Sequence, residues 1–288
     1  MSSKNPPKQM SDEHNAFHAE RRRARRDAAK GKGKSGGKTW PKRKQVDRQD
    51  TDTLYLYGLH TVRQAILNPA RQKNRLYTTL NGLQRLELDA NLLDSIEVEE
   101  KLPRELDALV GSEAVHQGVV LHAEPVATKP LEELAETNLV LLLDQVTDPH
   151  NVGAIMRSAV AMNAGAIITT SRYSPVESGV LAKSASGALD LIDHIEVRNL
   201  AETLEDLMKD GFTTIGLDSE EAIPFENVEG QKRIALVLGA EGKGLREKTR
   251  KTCSILARLD MPGEIKSLNV SNAAALSLYL SRQILQKA

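Results

Sequence analysis

From residue 139 onward the chain alternates short runs that are apolar throughout with stretches of helical period, and this alternation limits the folds open to it. The runs are LVLLL (139–143), AIITT (166–170), IEV (195–197), FTTIGL (212–217), IALVL (234–238) and ILARL (255–259). Helical periods fall near 151–164, 178–188, 200–210 and 245–251, and a last helix is expected from 269 to 287. A strand with one wet face alternates apolar and polar residues, whereas these runs need cover on both faces. The expectation is an α/β domain with a mostly parallel sheet and helices on either side.

Upstream, LYLYGLHTVRQAILN reads as a short strand leading into an amphipathic helix, SIEVEEKLPRELDALVG as a strand and a helix, and HQGVVLHAEP as a closing strand. Pro125 and Pro130, in a stretch of alternating charge, mark a linker with room for one helical turn. The expected division is a basic tail over 1–50, a small α/β domain over 51–124, a linker over 125–137 and a larger domain over 138–288.

Charge enters through its uneven distribution. The 39 basic and 39 acidic residues cancel, yet residues 1–50 hold 15 Lys/Arg against 6 Asp/Glu, a local +9. With few apolar residues beyond Phe17 and Trp40, this tail cannot offset the entropy of ordering, and disorder is expected. Its clustered arginines fit weak, salt-sensitive contact with nucleic acid; a solubilising arm is the alternative. No run approaches the roughly 18 apolar residues of a membrane span. MSSKNPPKQM lacks the apolar core of a secretory signal, and Cys253, the single cysteine, has no internal disulfide partner. A cytoplasmic protein with no membrane contact is expected. None of the seven histidines forms HExxH, so no metal site is expected either.

Ligands of open α/β sheets bind where strands end, which draws attention to three loops. After LVLLL comes DQVTDPHNVGAIMRSA, in which Asp148-Pro149 sets a turn, Asn151 can cap the following helix and Arg157 lies within it; a plain cap and a surface salt bridge would explain both. After IALVL comes GAEGKGL, whose glycines match neither GxxxxGK[ST] nor GxGxxG. Gly239, Gly242 and Gly244 would let backbone approach a ligand closely with Glu241 among them, and a tight turn is the alternative. After ILARL comes DMPGEIKSLNVSNAAALSLYL, where Ser267, Asn269, Ser271 and Asn272 exceed what helix capping requires.

Taken together and in this order, DPHNVGAIMRSA, LVLGAEGKGL and MPGEIKSLNVSNAAALSLY closely resemble the three motifs of the SpoU (TrmH) branch of the SPOUT RNA methyltransferases, and KSASGA (183–188) is similar to the family between the first two. Residues 55–120 resemble the small ribosomal-protein-like RNA-binding domain that precedes the catalytic domain in family members acting on a guanosine of 23S rRNA. The resemblance implies a deep trefoil knot at the carboxyl end, S-adenosylmethionine as cofactor, and ribose 2′-O-methylation of RNA. rRNA is the expected substrate; tRNA, or a noncatalytic role in ribosome assembly, are the alternatives.

Carried over by position, the resemblance places cofactor contacts on Gly239, Leu259 and Leu268, with neighbouring Ala240 and Met261, and catalytic roles on Asn151, Arg157, Glu241, Ser267 and Asn269. Leu259 and Leu268 would wall an adenine. Arginine keeps its proton at ordinary pH, so Arg157 is read as a clamp on the phosphate beside the reacting hydroxyl, with His150 a less favoured base. The family commonly has proline before the methionine of the third motif; here Asp260 stands there and Pro262 follows Met261, so a reshaped turn is expected beside Leu259. A homodimer is implied, and the small residues of the last helix suit a packed interface.

Overall fold

The computed structural model describes residues 53–219 and 223–288, which belong to one compact unit. The expected basic tail, 1–50, lies outside the described residues.

The chain first builds a four-stranded sheet from β1 (Leu54–Tyr57), β2 (Lys73–Thr78), β3 (Glu97–Glu100) and β4 (Val119–Ala123), in the order β1-β4-β2-β3. β4 runs antiparallel to both β1 and β2, while β2 and β3 are parallel. Four helices accompany it: α1 (Leu59–Leu67), α2 (Leu80–Arg85), α3 (Ala90–Leu93) and α4 (Pro103–Val110). In α1 the buried Thr61, Val62, Ala65 and Ile66 share one face at helical spacing. α4 starts on Pro103, and the Glu105 carboxylate accepts the Leu102 N–H at 2.7 Å. The strand β2 had no counterpart in the sequence expectations.

A single 3₁₀ turn, Leu131–Glu133, interrupts the connection to the second sheet. That sheet contains β5 (Leu139–Asp144), β6 (Ala166–Thr170), β7 (Asp193–Val197), β8 (Thr213–Leu217), β9 (Ile223–Pro224), β10 (Ile234–Gly239) and β11 (Ile255–Arg258). Its order is β7-β6-β5-β10-β8-β11-β9, and every pair is parallel. The helices are α5 (Pro149–Ala161), α6 (Gly179–Ala185), α7 (Leu200–Lys209), α8 (Glu247–Thr252) and α9 (Val270–Lys287).

Successive side chains of a strand point to opposite faces, and the central strands show why they had to be apolar throughout. Leu139, Leu141 and Leu143 of β5, with Leu236 and Leu238 of β10, join a core containing Ile155 and Met156 of α5 and Ala274 and Leu278 of α9. Val140 and Leu142, with Ala235 and Val237, enter a second core against Leu200, Leu204 and Leu207 of α7. The first core continues into Leu56, Val62, Leu76 and Leu121, so the small sheet packs on the large one through shared apolar contact.

A buried polar seam reinforces that contact. The Arg71 side chain is fully buried; its Nε donates to Asp190 Oδ1 at 2.6 Å and its Nη1 donates to Glu177 Oε1 at 2.7 Å and to the Glu124 carbonyl at 2.8 Å. Asn68 Nδ2 donates to the same Asp190 oxygen at 2.9 Å. Among the described residues no helix is long and apolar enough to cross a membrane.

Candidate functional site

The carboxyl ends of β10, β8 and β11 open on a cavity of about 540 Å³, within the range of small-molecule sites. Gly239, Ala240, Glu241, Leu259, Met261, Ser267 and Leu268 all line it, so seven residues drawn from two distant loops meet around one space. Its apolar wall is completed by Leu217, Leu238 and Val270, and its polar side by Asp218, Arg250 and Arg258. Leu259 reaches the cavity despite the Asp260-Met261-Pro262 order, and Asp260 itself is exposed. An apolar wall beside carboxylate and guanidinium groups suits a ligand with both an apolar and a charged part.

The 239–246 loop folds tightly on itself. A Cβ on Gly239 would lie 2.2 Å from the backbone carbon of Gly244, and Gly244 N–H donates to the Ala240 carbonyl at 2.9 Å. The close approach that Gly239 allows is therefore to the chain's own backbone. Gly242 and Gly244, at φ of +71° and +65°, close the turn in the left-handed region. Turn and cavity wall, weighed as alternatives from the sequence, are the same segment.

This loop is clamped from below by a pair the sequence did not single out. Asp144, the last residue of β5, is 0% exposed and lies in register opposite Gly239. Its Oδ1 accepts Arg246 Nε at 2.6 Å and its Oδ2 accepts the Arg246 backbone N–H at 3.0 Å. A carboxylate ending a run of five apolar residues was the available signal; its partner, 102 residues away, had none. Nearby, burial pushes the Cys253 thiol up to about 12, with the charge of Asp144 adding to the effect, so this cysteine stays protonated near neutrality.

At the cavity mouth three of the expected catalytic residues form one network. Asn151 Nδ2 donates to Glu241 Oε1 at 3.3 Å, Asn269 Nδ2 donates to the same oxygen at 2.6 Å and to Asn151 Oδ1 at 3.0 Å, and the Val270 N–H donates to Glu241 Oε1 at 3.2 Å. Asn269 also caps α9, its Oδ1 accepting the Ser271 N–H at 2.9 Å. These bonds fix which end of each amide faces the carboxylate. Asn151 does not cap α5. The helix begins earlier, at Pro149, with the Asp148 side chain accepting the His150 N–H at 2.8 Å. Relieved of capping, Asn151 is free to join Glu241 and Asn269.

Arg157 and Ser267 stand apart from this network, and among the described residues neither side chain makes a hydrogen bond or ion pair. Six residues along α5, Arg157 lies about 9 Å further up the axis and about 240° around it from Asn151. His150 Nδ1 lies 3.2 Å from Ser184 Oγ of α6. α6 can sit this close because of Gly153, where a Cβ would fall 2.5 Å from the Leu181 carbonyl oxygen. Beside Ser184, Lys183 Nζ donates to Gln117 Oε1 at 3.0 Å, and burial lowers the lysine's pKa. Among the described residues no group of three His, Cys, Asp or Glu is placed to hold a metal ion.

Comparison with known proteins agrees with this geometry. Residues 138–279 match the SpoU rRNA Methylase family, and residues 55–128 match a family described as RNA 2′-O ribose methyltransferase substrate binding. The chain is 39% identical over 241 residues to the 23S rRNA (guanosine-2′-O-)-methyltransferase RlmB of Pseudomonas putida, covering 78% of this chain and 94% of that protein. To RlmB of Ralstonia nicotianae it is 36% identical over 231 residues, covering 78% and 93%. Among solved structures, the SpoU methyltransferase AviRb from Streptomyces viridochromogenes in complex with AdoMet superposes with a TM-score of 0.67 at 22% identity, over 82% of this chain and 91% of that one, a likeness of fold.

Proposed function

Since the chain belongs to the SpoU rRNA methylase family, we propose that it transfers the methyl group of S-adenosylmethionine to the ribose 2′-hydroxyl of a guanosine in 23S rRNA. The observation that carries this reading is the Asn151–Glu241–Asn269 network at the mouth of a cavity walled by Gly239, Ala240, Leu259, Met261 and Leu268.

Bound in that cavity, S-adenosylmethionine supplies an electrophilic methyl carbon on a sulfonium. The chain's own task is to hold a weak nucleophile in line and keep water away. Glu241, fixed through Oε1 by three donors, has Oε2 free among the described residues to accept a hydrogen bond from the ribose. Asn151 and Asn269 hold that carboxylate in place, and Ser267 lines the cavity from the facing loop. Arg157 serves as a clamp on the phosphate beside the reacting hydroxyl. Its position away from the Asn151 network within one chain supports its action across a homodimer, as does the exposed face of α9, where Leu276 and Tyr279 are 49% and 52% exposed at i, i+3 spacing. The path of the carboxyl-terminal segment is read as the family's knot, supported by the insertion of β10 between β5 and β8 and by the return of α9 onto α5 and β10.

The test is transfer of labelled methyl from S-adenosylmethionine to unmodified rRNA and tRNA, followed by digestion to nucleosides. Label in 2′-O-methylguanosine of 23S rRNA is expected. Label confined to tRNA would replace the substrate and keep the chemistry, and no transfer to either RNA or to ribosomal particles, with cofactor still bound, would leave a noncatalytic RNA-binding role.

A further inference from the structure

The small sheet packs on α6 through β1, where a Cβ on Gly179 would lie 2.5 Å from the Tyr55 carbonyl oxygen, and the loop at 171–178, between β6 and α6, leads into that helix from the carboxyl edge of the large sheet. β6 is the immediate neighbour of β5, with Leu142 opposite Ile168, so this loop starts about one strand spacing, roughly 4.8 Å, from the segment that leads to Asn151. Its far end is tied to the small domain. Glu177 accepts Arg71 Nη1 at 2.7 Å and the Val126 N–H at 3.0 Å, and Ser178 Oγ accepts the Leu181 N–H at the start of α6 at 3.3 Å.

Between these fixed ends the loop displays an unusual surface. Arg172 is exposed, Tyr173 is 50% exposed and Val176 is 68% exposed. Among the described residues, neither the Arg172 guanidinium nor the Tyr173 hydroxyl or ring has a partner. Arg71 is engaged in its seam and Lys183 with Gln117, while Arg198, which follows the Val197 carbonyl that accepts the Ser171 N–H at 3.1 Å, is exposed and adds a second positive charge beside the loop. A free guanidinium beside an open aromatic ring, both on a loop anchored at each end, is the chemistry that holds single-stranded RNA: the cation takes a phosphate and the ring stacks on an unpaired base.

Building on the methyltransferase reading above, we propose that Arg172 and Tyr173 grip the RNA strand next to the methylated nucleotide, Arg172 at a phosphate and Tyr173 under a flanking base. Arg71 then acts as a positioning residue for this loop, linking the placement of the small domain to the strand that enters the active site.

The experiment is equilibrium binding of the full chain to in vitro transcribed, unmodified 23S rRNA across a salt series, with thermal melts and S-adenosylmethionine binding as folding controls. Tyr173→Ala should weaken RNA binding about 5- to 150-fold, the range set by one base–aromatic stack. Tyr173→Phe, which keeps the ring, should recover most of that loss. Arg172→Ala should weaken binding and reduce the slope of log K against log salt by about 1. Unchanged affinity and salt slope in the alanine variants would overturn the proposal, as would a Phe variant as weak as the Ala variant, or a change in oligomeric mass in place of RNA affinity. The binding readout does not depend on turnover: a wild-type protein that binds this RNA yet methylates nothing would refute the methyltransferase reading while the variants still decide the role of the loop.

Discussion

Replacing Asp144 with Asn tests whether the clamp under the cavity loop sets cofactor affinity. The asparagine keeps the shape and one acceptor, but it turns an N–H donor toward Arg246 and removes the charge. A hydrogen bond to a charged group contributes about 1.5–3 kcal/mol. The usual loss on breaking a buried ion pair, about 3–5 kcal/mol, does not apply in full, because the Arg246 side chain is 42% exposed and can return to water. About 2 kcal/mol is then withdrawn from docking of the 239–246 loop. Because this loop forms the cavity wall, the loss reduces the population competent to bind, and the apparent Kd for S-adenosylmethionine should rise more than twofold, up to a ceiling of roughly 30-fold. Isothermal titration gives the Kd, and a thermal melt confirms that the variant is folded. A folded variant with a Kd within twofold of wild type would refute the clamp.

Arg71→Ala should cost about 3–5 kcal/mol in urea unfolding, since it strands the buried carboxylates of Asp190 and Glu177; a loss below 1 kcal/mol would remove the seam from the account. Burial pushes the His194 imidazole below its ordinary 6.5, so the unfolded chain takes up a proton that the native chain refuses, and stability from this group is lost as pH falls below 6.5. Melting temperatures between pH 7.5 and 5, compared with His194→Gln, should show the wild type declining relative to the variant, and parallel curves would contradict this. Leu276→Glu, on the exposed face of α9, should convert a dimer to a monomer by light scattering; a wild type that is already monomeric would sink the homodimer.

The large sheet could be read in advance because its central strands are buried on both faces and are therefore apolar over most of their length, with Asp144 at the end of β5 as the charged exception. β2 was not legible for the opposite reason. Of KNRLYT only Leu76 and Thr78 are buried, and its place in the sheet depends on β3 and β4 rather than on its own pattern. The helix expected to run to 188 stops at Ala185, because Ser186 and Gly187 both adopt left-handed backbone, at φ of 52° and 94°, and a 3₁₀ turn follows. In the site, the lining from 239–241 and 259–268 was legible through its loops, while Asp218, Arg250 and Arg258 on the polar side of the cavity were not. What joins those loops was not: Asp144 meets Arg246 and Arg71 meets Glu177 across 102 and 106 residues, and no local pattern pairs them.

The central claim is met most directly by nucleoside mass spectrometry of 23S rRNA from cells lacking this chain, complemented with the wild type or with Glu241→Ala. The account predicts that one 2′-O-methylguanosine disappears with the chain, returns with the wild type and does not return with the variant. Equal 2′-O-methylguanosine in cells with and without the chain would contradict it.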